Sequence, residues 1–243
     1  MAEGFKKRYK RVVVTLVLLI CTAGLAYLLG WSSALTVKEV KIEGSTEKST
    51  ILAKLNSQSI APAVGQQLAR VNLRSIERVL SQSDWIANVE VSRDWFKGGI
   101  KIQIVERSAI ARALIERNKI VNFDAQGALF TPTSDNQKKY QDQLPLISSA
   151  NNSKTDLANV ALLLRQMPAD LAYLIENLDQ ISITSSGLIL MNTAIDARPL
   201  RINWGMIDQI DQKFEVLAAL LELPENKDIS QVDLSQPNAP IVK

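Results

Sequence analysis

The chain contains no histidine among its 243 residues and a single cysteine, Cys21. Without imidazole there is no Ser-His-Asp or Cys-His nucleophile system, and the commonest protein ligand for metals is missing as well. Carboxylate chemistry is left, but the acids stand singly in amphipathic segments, as Asp208 and Asp211 or Glu106 and Glu116 do, in the pattern of solvated faces. No phosphate-cradling glycine motif occurs. The residues call for no cofactor and no metal. Beyond Cys21 no disulfide can form, so stability there has to come from apolar cores.

A basic excess is also missing from most of the chain. The net charge is +3, from 28 Lys and Arg against 25 Asp and Glu. Glu3 and the five bases Lys6, Lys7, Arg8, Lys10 and Arg11 account for +4, which leaves 23 bases against 24 acids, or −1, after Arg11. A nucleic-acid binder carries a basic face or stripe, so no nucleic-acid partner is expected.

What the chain does have is an uncharged run from Val12 to Trp31 directly behind that basic cluster. A bilayer core about 30 Å thick is crossed by roughly twenty helical residues. Cytoplasmic flanks are enriched in Lys and Arg, so Lys6, Lys7, Arg8, Lys10 and Arg11 read as the orientation signal. They keep the amino end inside, next to anionic membrane lipid, and send the rest out. Tyr9 and Trp31 then lie near the two interfaces. A cleaved signal peptide is the first competitor, with Ser32-Ser33-Ala34 as its site, but secretory apolar regions run about 7 to 15 residues. A lipoprotein signal ending at Cys21 is disfavoured by the apolar sequence on both sides of it, and a buried helix of a soluble protein by the lack of a polar face.

One catalytic constellation fits an exported, anchored protein. Ser45-Thr46-Glu47-Lys48 is S-x-x-K, Ser134-Asp135-Asn136 is S-D-N, and Lys154-Thr155-Asp156 approaches K-T-G, the elements of penicillin-recognising serine enzymes. Against it, Ser45 follows the strand-ending Gly44 instead of opening a helix, where Ser49 is the better cap. The third element also lacks its glycine, and S-D-N sits in a turn-rich loop.

The exported part begins with Val37, Val40 and Ile42 in a short strand that stops at Gly44. Ser49 caps a helix with Ile51, Leu52 and Leu55, and after Pro62 and Gly65, Asn72 caps a second with Leu73, Ile76, Val79 and Leu80. Trp85-Ile86 leads into a strand through Val89 and Val91. Arg93 to Gly99 turns the chain, and Ile100, Ile102 and Ile104 alternate along the return strand. The order is βααββ.

That order outside a single membrane helix resembles a POTRA domain, and its details resemble the FtsQ/DivIB bacterial cell-division proteins. The matching features are Val40-Lys41-Ile42-Glu43-Gly44, Trp85-Ile86, Val89-Glu90-Val91, Arg93 with Trp95, and the strand ending Glu106-Arg107. Phe96 and Ser108-Ala109-Ile110 stand where the family often has proline. The resemblance continues with alternating Ile110, Arg112, Leu114 and Glu116 and a strand from Ile120. It includes the turn Asp124 to Gly127 and Leu144-Pro145-Leu146-Ile147. A helix with Leu157, Val160, Ala161 and Leu164 follows, then a second with Leu171, Leu174, Ile175 and Leu178. Strands come next at Ile181 to Thr184, Leu188 to Met191 and Leu200 to Trp204. Trp204-Gly205 with Lys213 matches a family pattern of glycine followed by a helical lysine. A last strand runs from Ser230 to Leu234, and Pro237 and Pro240 mark a nonhelical tail.

The fold class is therefore α+β: one transmembrane helix, a βααββ POTRA-like domain, and a mixed domain with an antiparallel-rich sheet. The expected division is a cytoplasmic tail at 1–11, the membrane helix at 12–31, a POTRA domain at 35–107, an FtsQ-type β domain at 108–236 and a tail at 237–243. A pair of small exported domains without a catalytic set works by contact, and an exposed strand edge supplies main-chain partners. The resemblance implies a noncatalytic divisome scaffold in the plasma (inner) membrane at the septum, which binds FtsB/DivIC-like and FtsL-like single-pass proteins among other division components. It carries the binding edge onto Ser230, Gln231, Val232, Asp233, Leu234 and Ser235. Specificity then comes from alternate side chains, Val232 and Leu234 on one face or Gln231, Asp233 and Ser235 on the other. In the first domain Phe96 is expected as a half-buried packing residue, with an exposed anchor as the alternative. Two other functions compete: a POTRA-bearing component of polypeptide secretion or outer-membrane assembly, which usually carries tandem units and a barrel, and an anchored serine-type cell-wall enzyme.

Overall fold

The computed structural model describes residues 2–30, 35–115 and 119–243, with side chains in the first stretch at Lys10 and residues 12–27. The side chains of Lys6, Lys7, Arg8, Tyr9 and Arg11, and residues Trp31, Ser32, Ser33, Ala34 and Glu116, lie outside the described residues. The first helix, α1, is Ala2–Gly30. Among the described residues no helix is long and apolar enough to cross a membrane. The chain divides into two compact units, Met1–Glu106 and Arg107–Lys243.

The first unit continues with β1 (Glu39–Glu43), α2 (Lys48–Ser57), α3 (Leu73–Ser81), β2 (Ile86–Asp94) and β3 (Gly99–Glu106). The order is the βααββ read from the sequence. The sheet runs β1-β3-β2, with β1 parallel and β2 antiparallel to β3. Alternation along β3 places Ile100, Ile102 and Ile104 inside, where Ile42, Ile51, Leu55, Ile76, Leu80 and Val91 are also buried. Asn72 caps α3 by accepting from the Ser75 amide at 3.1 Å. Ser49, by contrast, is not a cap. Helix α2 starts two residues earlier, after Glu47, because the preceding turn is already organised: the Glu47 amide donates to Ser45 Oγ at 3.1 Å and Thr50 Oγ1 donates to the Glu47 carboxylate at 3.0 Å. Arg93 is a clamp inside the unit. Its Nε donates to the Leu68 carbonyl at 2.8 Å, its other end reaches the Val71 carbonyl, and its cation lies 5.7 Å from the Trp95 ring centre.

The second unit contains β4 (Ala111–Ile115), β5 (Lys119–Phe123), β6 (Leu129–Phe130), α4 (Asp135–Lys138), β7 (Leu146–Ser149), α5 (Lys154–Gln166) and α6 (Tyr173–Glu176). It ends with β8 (Gln180–Ile183), β9 (Ile189–Ile195), β10 (Arg198–Gly205), α7 (Ile210–Glu222), β11 (Gln231–Asp233) and β12 (Ile241–Val242). One nine-stranded sheet has the order β12-β11-β10-β9-β8-β7-β4-β5-β6. Parallel neighbours need long crossovers. Helix α5 makes the one between the parallel β7 and β8, and α7 the one between the parallel β10 and β11. Apolar side chains of these helices, including Leu157, Val160, Phe214 and Leu217, join Ile147, Ile181, Ile202 and Val232 in one core.

At the Asp124 turn, Asp124 Oδ1 accepts from the amides of Gln126 and Ala128, both at 2.9 Å, and Arg107 pairs with the other carboxylate oxygen. The expected helix through Leu171 and Leu178 is cut short. It becomes a 3₁₀ turn at Ala169–Leu171 and the four-residue α6. The buried Thr193 hydroxyl on β9 lies 2.7 Å from the Leu174 carbonyl and 3.1 Å from that of Asn177, so the end of α6 is held to the sheet and the chain turns into β8.

Candidate functional site at the C-terminal edge of the large sheet

The residues expected to form the binding edge lie on β11 and the segment after it, but β11 is not the outermost strand. Its inner side pairs in parallel with β10, through Ile202 and Val232 among others. Its outer side pairs antiparallel with β12, at Val232 with Val242 and Asp233 with Ile241. The tail read as nonhelical returns to the sheet as a short strand after Pro237, which is buried. The only signal for this was the β-branched pair Ile241-Val242 directly behind Pro240, too short to count as a strand by alternation.

Burial sorts the six expected contact residues. Val232 and Leu234 are wholly inside. They hold β11 against the core and are not offered to a partner, which corrects one of the two faces anticipated. Gln231, Asp233 and Ser235 are half-buried and Ser230 is exposed, as is Ile241 on the covering strand.

Backbone alternation decides what this edge offers. Gln231 and Lys243 exchange both bonds, at 3.1 Å and 3.0 Å. In an antiparallel ladder the next residue then faces away, so the N–H and carbonyl of Val242 point outward. Pro240, one step further along that outer row, has a carbonyl but no N–H.

The side chains beneath the edge form a connected polar cluster. Asp233 Oδ1 accepts from the Ser235 amide at 2.9 Å and its hydroxyl at 2.6 Å, and Oδ2 accepts from Asn203 Nδ2 at 2.9 Å. Burial pushes the Asp233 carboxyl up, but the Ser235 and Asn203 donors, with Lys243, outweigh it and hold the group below its ordinary 3.8. A carboxyl depressed in the folded state contributes stability above its ordinary pKa, and the contribution is lost as pH falls below it. The second unit is therefore expected to lose stability below about pH 4 in an Asp233-dependent way. Urea unfolding at pH 7 and pH 3 checks this, and Asp233→Asn should reduce the difference between the two.

The fully buried Lys213 on α7 is the other organiser, and its burial was not legible in the sequence. Its Nζ donates to the carbonyls of Trp204 at 2.9 Å and Met206 at 2.7 Å and to Asp208 Oδ1 at 2.8 Å. That bond from Lys213 holds the exposed Asp208 carboxyl below its ordinary value, against a smaller opposing effect of burial. Between the two carbonyls sits Gly205, at φ +67°, where a Cβ would stand 2.8 Å from Ser235 Cα. The glycine and lysine that formed a spaced pair in the sequence thus act on one bend, and that bend abuts the end of the candidate edge.

Two family models match the chain. One, described as the C-terminal part of cell division protein FtsQ/DivIB, matches residues 113–235, half of the chain. The other, described as a POTRA domain of FtsQ type, matches residues 35–107. The chain belongs to the FtsQ/DivIB family. It is thus related to cell-division proteins, and its first unit carries the FtsQ-type POTRA domain. Taken singly, no curated protein matches the chain.

The elements of the rejected serine-enzyme reading have local structural roles. Ser45 accepts from the turn amide of Glu47, Ser134 caps α4 in a capping box with Gln137, and Lys154 opens α5 behind the cap Ser153. Among the described residues no group of His, Cys, Asp and Glu could hold a metal ion. Phe96 departs from expectation more sharply: at 99 % exposure it is not a packing residue at all. The Asp94 carboxylate accepts the amides of Phe96 and Lys97 at 3.1 Å and 2.9 Å, which sets the turn and leaves the ring outside it.

Proposed function

We propose that this FtsQ/DivIB-family chain is a noncatalytic single-pass scaffold of the bacterial divisome. It captures the extracytoplasmic part of an FtsB/DivIC-like partner, paired with an FtsL-like protein, by strand addition at the C-terminal end of the nine-stranded sheet. The observation that carries the reading is the outward backbone of β12 at Val242, beside the exposed Ile241. A partner strand gains one donor and one acceptor at Val242 and a further acceptor at Pro240, and recognition of side chains falls to Ile241, Gln231, Asp233 and Ser235.

Val242→Pro removes the outward donor without touching a bond inside the fold. It is expected to weaken partner capture about two- to tenfold, the worth of one lost backbone hydrogen bond, while leaving urea unfolding unchanged. Unaltered capture in a pulldown would exclude this edge. Crosslinks to the partner are expected from Ile241 or Ser235 and not from the buried Val232.

The scaffold sits in the inner membrane at the septum, its amino end cytoplasmic and both units outside. Support comes from α1, whose described apolar side chains stand open: Leu16 is 59 % exposed, Leu19 and Ile20 64 %. A contiguous apolar helix left uncovered in this way calls for lipid or a protein partner. Thr22 returns its hydroxyl to the carbonyls of Leu18 at 3.0 Å and Leu19 at 2.9 Å, so it needs no water. Depletion is expected to give filamentous cells with segregated nucleoids and no septa.

A further inference from the structure

The hairpin joining β2 and β3 ends in an exposed apolar tip that has no role in the edge described above. Phe96 is 99 % exposed and Trp95 39 %, and Lys97 follows them. A single exposed ring needs no explanation, but this one is not alone. Val64, in the loop before the 3₁₀ turn at Leu68–Arg70, is 74 % exposed.

Both loops flank the same short piece of backbone. The Lys38 amide donates to the Gly98 carbonyl at 2.8 Å, and on the other side the Gly65 amide donates to the Val37 carbonyl at 2.8 Å while the Val37 amide donates to Gln66 at 2.7 Å. That piece is where the chain arrives from α1. From Gly30, the last residue of α1, to Thr36 there are six residues, a reach of at most roughly 20 Å.

We infer that this end of the first unit is a membrane-contacting face. Phe96 and Val64 enter the headgroup boundary of the bilayer that holds α1, and Lys97 and Lys38 reach anionic lipid phosphates. The inference rests on the anchor proposed above. The tether length favours lipid over a protein partner, because it keeps Thr36, beside the backbone that both loops flank, within roughly 20 Å of the helix end. The composition agrees: aromatic rings with an apolar body suit the interface, and lysines bury their stems while the ammonium stays wet. The stem of Lys38 already lies along Gly98, its Cγ and Cδ 3.0 Å and 3.1 Å from where a Cβ would be. The turn is set by Asp94, so the backbone that presents the ring does not have to be ordered on arrival.

The test uses the full-length chain in nanodiscs of phosphatidylcholine and phosphatidylglycerol, and in cell membranes, with photoreactive benzoylphenylalanine replacing either Phe96 or Gln82. Gln82 follows α3 and precedes the start of β2, at the end of that strand away from the hairpin. Lipid adducts identified by mass are expected at position 96 at least about tenfold above position 82. Equal lipid labelling at the two positions in a chain that resists alkaline carbonate would overturn the tip and leave the anchor standing. Adducts from position 96 to a protein, with none to lipid, would overturn it in favour of a docking site. Release of the chain by alkaline carbonate would overturn the anchor and take the tip with it.

Discussion

Lys213→Met is expected to destabilise the second unit by about 3 kcal/mol and to weaken partner capture with it. Methionine replaces most of the stem volume, so packing on α7 changes little. What is lost is a charged donor shared by two carbonyls and a carboxylate. Asp208 is 66 % exposed and is solvated once the lysine is gone, whereas the Trp204 carbonyl, accepting at a buried position, loses its donor. The effect therefore comes from the backbone around Gly205 and not from the ion pair. Asp208→Asn is the control and should lose no more than about 1 kcal/mol, as an exposed pair does. Urea unfolding of both variants separates the two contributions. If Lys213→Met unfolds like the parent, the buried ammonium is not what shapes the bend.

Gly205→Ala should be nearly as damaging, by a different route. A left-handed backbone conformation costs a residue with a Cβ about 1 to 2 kcal/mol. The added carbon would also stand 2.8 Å from Ser235 Cα and 2.9 Å from its Cβ, so one of the two segments has to move. Overpacking of this kind adds about 1 to 3 kcal/mol. The segment free to yield is the one after β11, since β10 is held by β9 along most of its length. Moving Ser235 also pulls its amide and hydroxyl away from Asp233, which ties the loss of stability to a loss of the acid-sensitive contribution. The expected result is lower stability at pH 7 together with a smaller drop on going to pH 3. A variant with the parent's unfolding midpoint would show that the close approach is relieved at no cost.

The POTRA order and most of the strands of the second unit were legible because each is written in a local period. The isoleucines of β3 alternate, and Asn72 stands where a cap belongs. Legibility failed where a tertiary contact overrides the local pattern. Ser49 makes a good cap in isolation but is pre-empted by the turn at Ser45 and Glu47. The apolar spacing from Leu171 to Leu178 reads as one helix, yet Thr193, a residue of another strand, helps to end it early. A lysine on an amphipathic helix reads as solvent-facing, and Lys213 is inside because carbonyls of a neighbouring loop satisfy it. Phe96 shows the converse: an aromatic residue suggests packing, and a turn set by one carboxylate leaves it outside.

The sequence by itself determined three things about this protein: the chemistry it lacks, the uncharged run behind a basic cluster, and membership of the FtsQ/DivIB family. All three are properties of composition and order, which need no third dimension. The tertiary structure alone decided which strand is outermost. Val232 and Leu234 look no different in sequence from the exposed Ile241. They are buried because α7 carries the chain over to place β11 parallel to β10, and β12 then closes the outer side of β11. Which backbone groups are left for a partner follows from that closure and from hydrogen-bond alternation across it, a relation between residues eight to twelve apart in the chain that no local pattern encodes.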